Sequence, residues 1–147
     1  MKLPDVNVLI YAHREDADEH EAYASWLENL VNKDEPFAIS EIVLSGFIRI
    51  VTHPKIFRPA TPMAIALDFC ERLLAWPRSV MLLPTGRHWE LFTKLCRDSQ
   101  IKGALVSDAY LAALAIEHGC ELVTTDGDFS RFEGLRWQHP LSTATND

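Results

Sequence analysis

The chain has 147 residues, which is the length of one ordinary domain. Hydrophobic residues make up 48% of it and charged residues 24%, a composition that excludes a disordered or low-complexity polypeptide. Its 14 basic and 21 acidic residues give a formal net charge of −7, so bulk charge alone does not predict binding to nucleic acid. Because no repeat or linker divides the sequence, we expect a single domain over residues 1–147.

The cysteines and the apolar segments indicate in which cellular compartment the protein is expected. Cys70, Cys96 and Cys120 are odd in number and widely spaced, which is typical of small buried side chains in a reducing environment rather than of a disulfide or zinc framework. No apolar run reaches the roughly 18 residues of a membrane-spanning helix, and the N-terminus has no cleavage pattern. We therefore expect a cytoplasmic protein without membrane contact.

The first elements in chain order are a strand and two helices. Residues 2–5 form a predicted strand that continues into residues 8–11, which are predicted to be a buried strand or the start of a helix. Asp18 is a predicted helix cap. The residues that follow Asp18 carry one apolar stripe at helical spacing, formed by Tyr23, Trp26, Leu27, Leu30 and Val31.

A second strand and its helix come next. Residues 37–39 form a short predicted strand, and Ser40 after it is a favourable N-cap. The predicted helix begins at Glu41 and ends near Pro54, because the residue before a proline disfavours helical backbone.

The second half of the chain continues the alternation of helices and strands. Thr61, followed by a proline, predicts the start of a helix, and residues 80–83 are a predicted strand. Ser107 or Asp108 begins a further predicted helix, which Gly119 ends. Residues 121–125 are a strand, and residues 135–137 form a possible last one. This order predicts an α/β fold whose parallel sheet is covered on both faces and binds ligands at the carboxyl ends of its strands.

Five acidic residues follow the predicted strands or open the predicted helices: Asp5, Glu41, Asp108, Asp126 and Asp128. In a parallel sheet these side chains gather at one edge, and such a cluster stays ionised only with a compensating cation. Carboxylate oxygens favour Mg²⁺ or Mn²⁺ over zinc. The alternative is structural, since the helix dipole alone explains an acid in a first helical turn and Asp–Gly is an ordinary turn dipeptide.

Four segments carry these acids, residues 4–12, 40–43, 107–112 and 124–129, and a fifth segment, residues 49–54, lies between them. In order, context and separation they resemble the PIN-domain ribonucleases, and within them the VapC-type toxins of type II toxin–antitoxin modules. The resemblance implies a PIN-like three-layer α/β/α domain with a central, mainly parallel sheet of four to five strands. It also implies a Mg²⁺- or Mn²⁺-dependent endoribonuclease that cleaves RNA by metal-activated water, forms a homodimer and is inhibited by a cognate VapB-like antitoxin.

The resemblance also assigns roles to the acids. Asp5 and Asp108 match the acids most consistently tied to the metal, Glu41 and Asp126 match the rest of a quartet, and Asp128 matches a frequent fifth member. All five are therefore predicted catalytic residues, and the quartet is the predicted set of metal ligands.

The distribution of charged residues along the chain favours RNA binding more than the net charge of −7 does. No acidic residue lies between Glu41 and Asp68, whereas Arg49, Lys55 and Arg58 do. We predict that these three cations contact phosphates beside the cleavage position, and the alternative is a solvated basic face.

Two other functions are compatible with part of the pattern. The first is a phosphatase of the haloacid-dehalogenase type with Asp5 as nucleophile, although that family needs a second acid where this chain has Asn7. The second is a non-catalytic acidic module that binds a basic peptide and does not bind Mg²⁺.

Overall fold

The computed structural model describes residues 1–142. Its strands are β1 (Lys2–Pro4), β2 (Phe37–Ser40), β3 (Ser79–Leu82), β4 (Glu121–Val123) and β5 (Trp137–Gln138). Its helices are α1 (Val6–His13), α2 (His20–Asn32), α3 (Glu41–Val51), α4 (Met63–Ala75), α5 (His88–Asp98) and α6 (Leu105–Glu117), and a 3₁₀ helix follows β4 (Gly127–Arg131). In this part of the chain, no helix has the length and apolar character needed to cross a membrane. The predicted single domain also includes residues 143–147, which lie outside the described residues.

The strands form two hydrogen-bonded ladders in which every pairing is parallel. One ladder has the order β1-β4-β5 and the other joins β2 to β3, while β1 packs beside β2. The register pairs Pro4 with Val123, so the carboxyl ends of β1 and β4 lie side by side. All four residues of β2 are buried, and because successive side chains point to opposite faces, both faces of that strand are covered. The predicted parallel α/β architecture is confirmed, but the five strands form hydrogen-bonded ladders of three and two strands instead of one continuous sheet of four to five.

Of the two predictions for residues 8–11, the helix is correct: they lie in α1, because the Asp5 carboxylate accepts a hydrogen bond from the Val6 amide and starts the helix directly after β1. Two other predicted helix starts differ from the structure. Asp18 is not a cap, since α2 begins at His20 after Glu19, and no side chain caps that end. Helix α6 begins at Leu105, so Asp108 lies within its first turn rather than at its start.

Helix α6 contributes more buried residues than any other helix among residues 1–142. Its buried residues are Ala109, Leu111, Ala112, Ala113, Leu114 and Ala115. So many small side chains let neighbouring elements pack closely around the helix axis, which fixes the position of Asp108 one turn from the helix start.

Helices α1 and α3 approach each other at Gly46. A Cβ atom added to Gly46 would lie 3.1 Å from Cγ2 of Val6, which is tighter than ordinary van der Waals contact. Val6 is the first residue of α1 and donates its amide to Asp5. The missing side chain at Gly46 therefore allows α3 to lie against the start of α1.

The end of α6 generates a prediction about stability. Gly119 has φ +66°, its amide bonds to the Ile116 carbonyl, and the Cys120 amide bonds to the Ala115 carbonyl, which is a Schellman motif. Gly119→Ala should lower the free energy of unfolding by about 1 kcal/mol, because an L side chain is strained in left-handed backbone. Chemical denaturation measures this change. Gly86→Ala is the matched control, because Gly86 has ordinary φ and open space around it, and an equal loss in both variants would contradict the explanation.

Candidate active site

A groove of about 430 Å³ opens beside the carboxyl ends of β1 and β4. Three of the predicted acids, Asp5, Asp108 and Asp126, line it together with Arg49. The remaining lining comes from α1, α3 and the start of α6, as Val6, Asn7, Ile42, Val43, Ser45, Gly46, Ile50, Ala104, Ser107 and Leu111. Its acidic side chains therefore come from the strand ends and α6. The Arg49 side chain and several apolar side chains come from α3.

Asp5 is the most constrained of the acids. Its side chain is buried, with only 8% of the residue exposed, yet both oxygens have partners. Oδ1 accepts from the Val6 amide at 2.7 Å, and Oδ2 accepts from Oγ1 of Thr124 at 2.7 Å. Burial raises the pKa of Asp5, the two hydrogen bonds oppose that rise, and the charge of Asp126 adds to it.

Thr124 connects two of the acids. It is fully buried directly after β4, and its hydroxyl donates to Asp5 and accepts from the Asp126 amide at 3.1 Å. Thr124 lies in the segment of residues 124–129 that carries the family resemblance, but the resemblance assigns it no role. A usable signal was present, because a hydroxyl at the end of a buried strand needs a polar partner.

The pKa of Asp108 is raised by its burial and by the neighbouring carboxylates. Burial raises its pKa to about 6, and the charges of Asp5, Asp126 and Asp128 contribute in that order. Arg131 lowers the pKa but does not compensate for the acids. Neighbouring carboxylates therefore destabilise the ionised forms of Asp5 and Asp108, which is the electrostatic condition that a bound cation relieves.

The other two predicted acids lie outside the groove lining. Glu41 is exposed at the first position of α3, and it is not among the charges that act on Asp108. Asp128 is also exposed: its amide donates to Oδ1 of Asp126 and its carboxylate lies 4.0 Å from Nη2 of Arg131. Across residues 1–142, no three acidic, histidine or cysteine side chains approach closely enough to form a ready set of metal ligands.

The three predicted RNA-contacting cations are not together. Arg49 lines the groove from α3, whereas Lys55 and Arg58 are exposed on the segment between α3 and α4. That segment follows α3 directly in the chain, and neither Lys55 nor Arg58 lines the groove.

The hydrogen bond from Thr124 generates a prediction. Thr124→Val keeps the side-chain shape but removes the hydroxyl, whose hydrogen bond lowers the pKa of Asp5. We expect a higher Asp5 pKa in this variant and a return toward the wild-type value in Thr124→Ser. Carboxyl-carbon NMR titration of metal-free protein measures both, with Thr125→Val as the control. Unchanged titration of Asp5 in Thr124→Val would refute the role.

Asp108 makes the stability of the metal-free protein depend on pH. Its folded pKa of about 6 lies above its ordinary value of 3.8, so the folded state binds more protons between these limits. The destabilisation from Asp108 is complete above about pH 6 and disappears as pH falls toward 4. Asp108→Asn should therefore be more stable than the wild type at pH 7, with a smaller difference at pH 4. Denaturation in chelator tests this, with the exposed Asp68→Asn as control, and a pH-independent difference would count against it.

Comparison with known proteins identifies the relatives of the chain. Residues 2–135 match the PIN domain family. The chain is 44% identical over 142 residues to Ribonuclease VapC43 of Mycobacterium tuberculosis, with 97% of each chain covered. It is 39% identical to Ribonuclease VapC25 of the same species, over 95% of this chain and 99% of that protein.

Solved structures share the fold at lower sequence identity. VapBC2 of Rickettsia felis, bound to a promoter DNA fragment, has a chain with a TM-score of 0.69 at 20% identity, covering 94% of this chain and 97% of that one. VapC20 of M. tuberculosis, described as a sarcin-ricin loop cleaving toxin, has a TM-score of 0.64 at 16% identity, covering 92% and 99%. The predicted PIN-like α/β/α fold is confirmed. The chain belongs to the PIN domain family and, within it, to the VapC ribonucleases.

Proposed function

We propose that this chain is a metal-dependent endoribonuclease that acts as the toxin of a type II toxin–antitoxin module. The observation that carries the proposal is the groove that Asp5, Asp108 and Asp126 line together with Arg49. The three carboxylates suit a divalent metal ion, and the guanidinium of Arg49 suits a phosphate group. The identity of 44% to a curated VapC ribonuclease over nearly the whole chain supports the same activity.

The residues present fit Mg²⁺ or Mn²⁺. All the donors are carboxylate oxygens, and the pKa of Asp108 is raised by burial and then by the charges of neighbouring acids, a repulsion that a cation would relieve. Asp5, Asp108 and Asp126 would hold the ion from the groove, and Glu41 would complete the set from the start of α3. When bound, such an ion neutralises a non-bridging phosphate oxygen and lowers the pKa of a water molecule.

The chain's own residues supply the remaining requirements. Thr124 and the Val6 amide hold both oxygens of Asp5, so this carboxylate needs no rearrangement before substrate binds. Arg49 offers a guanidinium to a phosphate in the groove. We assign Glu41 to orienting or deprotonating the attacking water, and Asp128 to supporting Asp126 through the hydrogen bond from its amide.

The basic segment extends the proposed RNA footprint. Lys55 and Arg58 are exposed beyond the groove, in a stretch with no acidic residue between Glu41 and Asp68. Local positive charge of this kind attracts the RNA backbone although the net charge of the chain is −7. We therefore assign Arg49, Lys55 and Arg58 to phosphates on one side of the cut.

The partners and the compartment complete the proposal. Two structural neighbours are VapBC complexes bound to DNA, and we infer that this chain pairs with a cognate VapB-like antitoxin and forms a homodimer. All three cysteines are free thiols, as in a reducing cytoplasm. We treat the chain as one catalytic domain.

The groove gives no support to the phosphatase alternative. Asn7, two residues after Asp5, lines the groove where that mechanism needs an acid, and an amide does not transfer the required proton. The non-catalytic alternative predicts no stabilisation by Mn²⁺, so the same experiment tests it.

The test is RNA cleavage by the purified chain, with the new 5′ ends mapped. Asp5→Asn and Asp108→Asn should each reduce cleavage by more than about 100-fold, because each removes an anionic ligand while keeping the side-chain size. Chelator should abolish cleavage, and Mn²⁺ should raise the melting temperature of the wild type but not of an Asp5→Ala/Asp108→Ala protein.

Asp68→Asn is the matched control, because Asp68 is an exposed acid on α4 paired with Arg72. The proposal fails if chelated protein cuts RNA as fast as metal-loaded protein, or if the groove variants cut as fast as Asp68→Asn.

A further inference from the structure

The segment between α3 and α4, residues 52–62, forms a closed loop. Its ends are joined, because the Thr61 amide donates to the Val51 carbonyl at 2.8 Å. Within it, the Phe57 amide donates to the His53 carbonyl at 3.0 Å and the Lys55 amide to Nδ1 of His53 at 3.1 Å. We call residues 52–62 the basic loop, because Lys55 and Arg58 are its charged residues and both are exposed.

Arg14, the first residue after α1, attaches the basic loop to that helix. Its Nη1 donates to the Pro59 carbonyl at 2.9 Å and to Oγ1 of Thr61 at 3.3 Å. Its guanidinium carbon lies 4.4 Å from the centre of the Phe57 ring. The side chain is only 11% exposed, so one guanidinium contacts three separate positions of the loop.

Asp16 orients the guanidinium. Its two carboxylate oxygens accept from Nε at 2.8 Å and from Nη2 at 2.6 Å, which leaves Nη1 directed at the loop. This planar two-point contact is specific to arginine and is not available to lysine. Beside it, Nε2 of His13 lies 3.1 Å from the same Thr61 hydroxyl.

Helix α1 therefore connects the basic loop to the acidic groove. The helix starts at Asp5, which the structure places in the groove, and ends at the contact with the loop, roughly 12 Å away along its axis. A loop held on a rigid helix keeps its cations at a fixed distance from the groove, and ordering it costs no further entropy when a ligand binds.

We propose that Arg14 is a positioning residue for RNA: it holds the basic loop so that Lys55 and Arg58 meet phosphates outside the cleavage position. This inference rests on the proposed function. Arg14 does not itself touch the RNA, and its effect is transmitted through the two loop cations.

The test is a double-mutant cycle between Arg14→Gln and Lys55→Ala/Arg58→Ala. The substrate is an RNA that the wild type cuts, extended by about ten nucleotides on each side of the cut, and a second version trimmed to about two. With the long RNA, Arg14→Gln should raise KM about fivefold to tenfold with kcat unchanged and reduce the salt dependence of binding. With the trimmed RNA, which does not reach the loop, the variant should match the wild type.

In the Lys55→Ala/Arg58→Ala background, the added Arg14→Gln change should have no further effect on KM. Additive effects would overturn the proposal, because they would mean that Arg14 acts independently of the loop cations. Arg72→Gln is the control, since it removes the same charge from an exposed ion pair on α4, and a rise in KM equal to that of Arg14→Gln would also overturn it.

Asp16→Asn provides a second variant that retains Arg14 and removes only the carboxylate that orients it. We expect Asp16→Asn to raise KM for the long RNA as well, but by less than Arg14→Gln does. This variant therefore still tests the proposal if Arg14→Gln does not fold. If Lys55→Ala/Arg58→Ala raises KM while neither Arg14→Gln nor Asp16→Asn does, the positioning role alone is wrong. If the wild type neither binds nor cuts RNA, the proposed function fails as well.

Discussion

The hydrogen bond from Thr124 to Asp5 is the contact on which the groove depends. A carboxylate as buried as Asp5 is costly unless its oxygens are satisfied, and here a backbone amide and a hydroxyl satisfy one oxygen each. Because Asp5 follows β1 and Thr124 follows β4, the bond also joins two strand ends that are 119 positions apart in the chain. The same hydroxyl accepts from the Asp126 amide, so one side chain sets the positions of two acids.

Separation of charge explains how an acidic chain can act on an acidic polymer. The carboxylates are concentrated at the strand ends and the start of α6, while Arg49 lines the same groove and the cations of the basic loop are exposed outside the groove lining. Each exposed charge acts mainly within about 8–10 Å, since salt screens it at longer range. The total charge of −7 is therefore a poor guide to what the surface next to the groove attracts.

The sequence was sufficient for the features that depend on chain order. Asp5 and Asp126 follow strands, and parallel strands bring their carboxyl ends to one edge, so their meeting was predictable without coordinates. Asp108 followed from the start of a helix, even though that helix begins a turn earlier than expected. Chain order does not predict that Glu41 lies outside the groove lining, because its placement depends on how α3 is rotated about its own axis.

Contacts between side chains that are distant in sequence could not be predicted from the sequence pattern either. The stripe from Tyr23 to Val31 is largely buried, as a helical pattern suggests, but nothing in a pattern shows that Trp89 is 69% exposed. Likewise Arg14 looks like any charged residue at a helix end. Only the packing of the basic loop onto α1 shows that its guanidinium is enclosed.

The close approach at Gly46 has an evolutionary consequence. Since a methyl group there would press on Val6, and Val6 supplies the amide that holds Asp5, helix spacing and acid placement are not independent traits. Among relatives, a larger residue at the position of Gly46 should therefore accompany a smaller one at the position of Val6. Covariation of these two sites would show that the spacing of α1 and α3 and the placement of Asp5 are coupled.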